Sequence, residues 1–86
     1  MAVAIAVRVR LFARLREQAG FESQSLEFPQ GSTLADVYDI LRKTYPSLEP
    51  DRQSVRGAIN QEFSEWDAVV SRGDEVAFIP PVSGGL

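Results

Sequence analysis

Val3-Ala4-Ile5-Ala6-Val7-Arg8-Val9-Arg10-Leu11-Phe12 alternates along its whole length. Val3, Ile5, Val7, Val9 and Leu11 share one face, and Ala4, Ala6, Arg8, Arg10 and Phe12 share the other. A period of two with branched side chains predicts a strand buried on one side. Burying so many branched residues places this strand at the centre of a sheet. The apolar opening from Met1 to Val7 has no basic segment before it and is too short to span a bilayer, so it reads as part of the strand.

Working outward, Ala13 to Ala19 holds good helix formers, with Gly20 placed to end a short helical turn. Ser25 to Phe28 reads as a second strand with Leu26 and Phe28 inward, broken by Pro29-Gln30-Gly31. The main helix starts at Ser32 or Thr33, either of which can cap free N–H groups, and Asp36 suits the first turn. Leu34, Val37, Leu41 and Tyr45 form its apolar stripe, flanked by Tyr38 and Ile40. Arg42 and Lys43 suit the last turn, and Pro46 stops it. Residues 47–54 read as a polar connection. Then come a strand over 55–60, a turn at Asn60-Gln61-Glu62 leading into Phe63, a short extended piece at 67–70, a turn at 71–74 and a last strand over 75–79. One amphipathic helix must bury its stripe on a sheet, so the expectation is an α+β domain, a mixed sheet packed against one main helix. It occupies residues 1–80, and residues 81–86 form a flexible tail.

Composition excludes several functions. The chain has 86 residues, 44% hydrophobic and 24% charged, enough for one core. It has no cysteine and no histidine, which removes disulfides, thiolate metal sites and the Ser-His and Cys-His forms of catalysis. A cytoplasmic location fits the absence of cysteine. Net charge is −3 and the pI is about 4.8, which argues against nucleic acid as a partner. Glu62, Glu65, Asp67, Asp74 and Glu75 fall in turn-like stretches without calcium-loop spacing, so no metal is expected.

Arg8, Arg10, Arg14 and Arg16 form a basic cluster, readable as a solvated face or as a docking patch. Phe12 either faces outward with these arginines or tucks beneath the short helix. Ile79 points outward, Phe63 is partly exposed past its turn, and Trp66 is expected over a secondary core. The ending Pro80-Pro81-Val82-Ser83-Gly84-Gly85-Leu86 is a stiff stalk followed by backbone without side chains. It suits threading a carbonyl into a narrow pocket on another protein, with a reach of roughly 20 Å over residues 80–85. The plainer reading is an inert, disordered chain end.

The run from Gly73-Asp74-Glu75-Val76-Ala77-Phe78-Ile79 through Pro80-Pro81-Val82-Ser83-Gly84-Gly85 resembles the end of the molybdopterin synthase small subunit family. Val9 to Glu17 and Ala58 to Glu62 resemble the same family. The resemblance implies a ubiquitin-like β-grasp fold and a sulfur carrier with no bound cofactor and no stand-alone activity. By that resemblance a partner activating enzyme uses ATP to adenylate the Gly85 carboxylate, and a sulfur donor converts it to a thiocarboxylate. The tail then enters the large synthase subunit, in a heterotetramer, and sulfur passes to cyclic pyranopterin monophosphate. Gly84 and Gly85 match the terminal pair, preceded by the tail residues Pro80, Pro81, Val82 and Ser83. Phe12, Phe63 and Ile79 match partner-facing apolar positions, and Arg16 a basic one nearby. Ile79 stands where the family often has an aromatic. Leu86 departs from the pattern, because it holds the Gly85 carboxyl in a peptide bond, so proteolytic trimming is expected. A sulfur carrier for thiamine or cysteine synthesis and a ubiquitin-like protein modifier are the alternatives.

Overall fold

The alternation that opens the chain becomes β1 (Ala4–Leu11), in which Ile5, Val7, Val9 and Leu11 are all buried. A computed structural model describes residues 3–81. Val3 shares the parity of the inward face yet lies ahead of the strand and is 48% exposed. Met1 and Ala2, read as part of the same strand, lie outside the described residues.

After β1 come α1 (Arg14–Ala19), β2 (Ser23–Pro29), α2 (Leu34–Thr44), a 3-10 turn (Arg52–Ser54), β3 (Arg56–Ile59), β4 (Glu62–Phe63) and β5 (Glu75–Ile79). The sheet order is β2-β1-β5-β3-β4, with β1 and β5 parallel and the other pairs antiparallel. The α+β expectation holds, with one correction. β1 is an interior strand, but β5 is the middle one, because the long connection through α2 lets the last strand insert beside the first. Gly20 ends α1 as expected, at φ 86°, and its N–H donates to the Arg16 carbonyl at 2.8 Å. β2 is longer than expected, since its antiparallel ladder with β1 runs from Arg10↔Ser23 to Ala4↔Pro29.

α2 starts with a capping box. The Thr33 hydroxyl accepts from the Asp36 N–H at 3.1 Å, and the Asp36 carboxylate accepts from the Thr33 N–H at 3.0 Å. Ser32, the other candidate cap, is buried and donates to the Pro29 carbonyl. The buried stripe is Leu34, Val37, Tyr38 and Leu41. Tyr38 thus belongs to the core, whereas Tyr45 caps the helix and is half-buried against Phe21, 5.2 Å between ring centres. The stripe packs on Phe28, Val76, Phe78 and the inward face of β1. The helix leaves no room for a side chain at Gly57 of β3, where a Cβ would lie 2.5 Å from a Leu34 methyl.

Two sequence expectations change here. The connection over 47–54 is not wholly polar, because Leu48 is fully buried in the main core. Trp66 joins that core too, rather than covering a secondary one. It stacks on Phe78 at 6.0 Å, meets Tyr38 edge-on at 5.8 Å, and carries the Arg52 guanidinium 5.4 Å from its ring centre. The extended piece expected at 67–70 is present as a single bridge, Val69 to Thr33.

Tyr38 anchors the connection polar-side as well, its hydroxyl donating to the Glu49 carbonyl at 2.7 Å. Burial, and then the Glu49 carboxylate, push its ionisation up from 10.0 to about 12. The fold therefore prefers the neutral phenol. That stabilisation is complete below pH 10 and disappears as pH rises through about 12, costing about 3 kcal/mol at the limit. Tyr38→Phe is expected to lose about 1 kcal/mol near neutrality, from the missing hydrogen bond. Its urea-unfolding free energy should then fall less steeply than the wild type's as pH rises from 10 to 12. Parallel alkaline limbs for the two proteins would contradict this account.

Candidate functional site

Because α2 covers one face of the sheet, the other face is left open. Strand parity sends Arg8 and Arg10 of β1, Glu75, Ala77 and Ile79 of β5, and Arg56 and Ala58 of β3 toward it. Across the strands the register reads Arg10↔Ala77, Ala77↔Ala58 and Ala58↔Phe63. Two alanines side by side leave a hollow, and larger side chains stand around it. The result is a depression of about 150 Å³ lined mainly by Phe12, Ala58, Phe63, Ala77 and Ile79, with Arg10 and Glu75 at its margin.

The large side chains are held by identifiable local devices. Phe63 follows a two-residue hairpin loop in which Asn60 and Gln61 both have positive φ, 52° and 71°, the pairing that matches sheet twist. The Asn60 side chain ties this loop to the start of β5, donating to Asp74 and accepting from the Glu75 N–H, each at 3.0 Å. Phe63 is left 62% exposed, with the Arg56 guanidinium 4.3 Å from its ring centre. Together with Phe12 and Ile79, Phe63 gives this face a contiguous apolar patch, the kind of surface that marks a protein contact. Phe12 is outward and half-buried, so the tucked alternative is not the one adopted. Its N–H donates to the Phe78 carbonyl at 3.3 Å, and Arg10 lies 5.1 Å from its ring centre. Ala13, at φ 52°, then turns the chain sharply into α1, a conformation uncommon for a residue with a side chain.

Of the residues nominated from sequence, Phe12, Phe63 and Ile79 are brought together. Arg16 is exposed on α1 and does not line the depression. The basic cluster disperses: Arg8 donates to Ser23, Arg10 pairs with Glu75 at 3.8 Å, and Arg14 turns to Glu49 at 3.9 Å. Pro80 is buried and Pro81 exposed, so Pro80 belongs to the packed domain, against the reading of both prolines as stalk. Val82, Ser83, Gly84, Gly85 and Leu86 lie outside the described residues. Arg56, Ala58 and Ala77 were not nominated from sequence. Their membership follows from register between strands distant in the chain, and only small residues at 58 and 77 could have hinted at it.

Among the described residues no three or more carboxylates come together as a metal site, and no helix is long and apolar enough to cross a membrane.

Residues 9–85 match the ThiS family. The molybdopterin synthase sulfur carrier subunit of Arabidopsis thaliana is 43% identical over 81 residues, which cover 94% of this chain and 84% of that one. Small archaeal modifier protein 1 of Haloferax volcanii is 32% identical over 84 residues, covering 88% of this chain and 97% of that one. A solved structure of molybdopterin converting factor subunit 1 from Pyrococcus furiosus superposes with a TM-score of 0.81 at 29% identity, over 91% of this chain and 99% of the other. The architecture is the ubiquitin-like β-grasp expected from the sequence.

Proposed function

The chain belongs to the ThiS family, and from that premise we propose that it is the sulfur-carrier subunit of a molybdopterin synthase. The observation that supports this most directly is the meeting of Phe12, Phe63 and Ile79 in one apolar depression beside the root of a Gly-Gly tail. A large synthase subunit would dock on that face and receive the tail in its own catalytic cavity, two copies of each subunit making a heterotetramer.

Leu86 is first removed, which frees the Gly85 carboxyl. An adenylating partner then uses ATP to make the acyl adenylate, and a sulfur donor displaces AMP to leave a thiocarboxylate. Lacking cysteine, the chain cannot carry sulfur as a persulfide, so its main-chain end serves. Within the large subunit the sulfur passes to cyclic pyranopterin monophosphate.

Intact-mass measurement tests this. Incubated with the adenylating enzyme, ATP and a sulfur source, the chain ending at Gly85 is expected to gain roughly 16 Da, one oxygen exchanged for sulfur. The chain ending at Leu86 is expected to gain nothing. No gain on either chain would refute the proposal. Docking has its own prediction: Phe63→Asp should weaken binding to the large subunit roughly 100-fold, as loss of a central aromatic contact does, with unfolding unchanged. Titration calorimetry of the two subunits reads this, and an unaltered affinity would remove Phe63 from the interface.

The likeness to small archaeal modifier protein 1 favours a second reading, in which the same activated end is joined to lysines of other proteins. Isopeptide-linked conjugates in cell extracts, lost on deleting Gly85, would mark that activity.

A further inference from the structure

Eight of the nine basic side chains are arginines, and Lys43 is the single lysine. Two of the arginines stand near the root of the tail. Arg56 stands opposite Ile79 in the β3–β5 register, and Arg10 lines the same depression as Ile79. Each holds an aromatic ring of the docking face, Arg10 over Phe12 and Arg56 over Phe63. Arginine makes that contact more often than lysine, and it differs in a second property that matters here, since a lysine would bring a nucleophilic amine.

Lys43 is elsewhere. It is exposed on α2, in the layer on the opposite side of the sheet, beside Pro29, Gly31, Asp36 and Asp39. The amino-terminal side of the chain enters β1 at Ala4, and the parallel β1–β5 register sets Ala4 roughly 23 Å along the strand from the level of Phe78. Residues 82–85 span at most roughly 14 Å beyond Pro81.

We infer that Arg10 and Arg56 are specificity-determining residues, supplying positive charge at the tail root in a form that cannot capture the chain's own activated carboxyl. The inference rests on the reading of Gly85 as an activated carbon. A neutral lysine amine within reach would attack the Gly85 carbonyl carbon. A C–N bond forms, the bond to the AMP or thiol leaving group breaks, and the amine gives up a proton as that group departs. The looped product can no longer take up sulfur. A guanidinium stays protonated and does not attack. Serine and threonine hydroxyls are weak nucleophiles unless an adjacent general base activates them, so a free amine outcompetes them.

The test uses the chain ending at Gly85 as a C-terminal alkyl thioester. It carries an activated acyl group without the adenylating enzyme, so the result does not depend on sulfur loading; failure of the sulfur-carrier reading appears separately, as no mass gain in the loading assay. The core lies between Ile5 and Phe78, so this chain keeps every core residue. Wild type is expected to hydrolyse to the free acid. Arg56→Lys and Arg10→Lys are each expected to form a monomeric product about 18 Da lighter than that acid, at least roughly tenfold faster than wild type, as for a tethered amine at millimolar effective concentration. Peptide mapping would place the new bond at the substituted position. Arg72→Lys is the charge-matched control. The neighbouring Gly73 N–H donates to the Ala6 carbonyl at 2.8 Å, which fixes position 72 at the far end of β5, roughly 25 Å along the strand from Pro81. It is expected to behave as wild type. Cyclisation of wild type through Lys43, or rates for Arg56→Lys and Arg10→Lys no higher than for Arg72→Lys, would overturn the inference.

Discussion

Deleting Gly84, Gly85 and Leu86 is expected to abolish sulfur loading, by at least roughly 100-fold, while the domain unfolds at its normal denaturant concentration. Among the described residues every core side chain lies between Ile5 and Phe78, so the deletion leaves that core whole and should change stability by less than about 0.5 kcal/mol. The chain that remains ends at Ser83, shorter by roughly 7 Å than one ending at Gly85. It also presents a side chain where the proposal needs bare backbone. Intact mass after incubation with the adenylating enzyme, ATP and a sulfur source reads the loss, and urea titration reads the fold. Deleting Leu86 alone is expected to do the opposite, giving a chain that loads without any protease. If the protein shortened to Ser83 still acquired sulfur at the normal rate, the carrier chemistry would have to reside elsewhere.

Phe78→Ala is expected to have the largest effect on stability, about 4 kcal/mol. Phe78 is fully buried on β5, the middle strand, with Tyr38 edge-on at 5.0 Å and Trp66 stacked at 6.0 Å. Truncating a buried phenylalanine to alanine typically costs about 3–5 kcal/mol, from lost transfer energy and the cavity left behind. A domain of this length has about 4–13 kcal/mol in total, so the variant should be partly unfolded at 37 °C. Phe78→Leu keeps most of the volume and is expected to lose about half as much. Urea unfolding of the three proteins decides between them. A cost below about 1.5 kcal/mol for alanine would mean that Tyr38 and Trp66 close over the gap, and that the aromatic cluster is not what fixes β5 in place.

How much of this was readable beforehand varies with the range of the forces involved. β1 and α2 were legible because burial on one face writes a period into a short stretch, and the Thr33–Asp36 cap is a local pattern. Leu48, Trp66 and the central position of β5 were not, since each depends on which segments meet after the chain has folded back. Tyr38 and Tyr45 show the same limit within one helix: both fit a helical period, and the sheet beneath selects Tyr38. For the open sheet face, Phe12, Phe63 and Ile79 were nominated by strand pattern as well as by resemblance, and they do converge. Arg16 was nominated by resemblance and stands outside the depression, because α1 turns away after Ala13. Arg56, Ala58 and Ala77 needed the register of three strands before they could be recognised.

The same-direction pairing of β1 and β5 also has a mechanical consequence. The tail leaves β5 from the edge of the sheet at which β1 finishes. Tension on that tail, opposed at the chain's beginning, drags the two strands lengthwise past one another. All the rungs from Arg8–Glu75 to Leu11–Phe78 then strain at once, whereas a hairpin pulled open at its tip would unzip rung by rung. The domain is thereby stiff along that axis, and bears a lengthwise pull on its last strand without opening rung by rung.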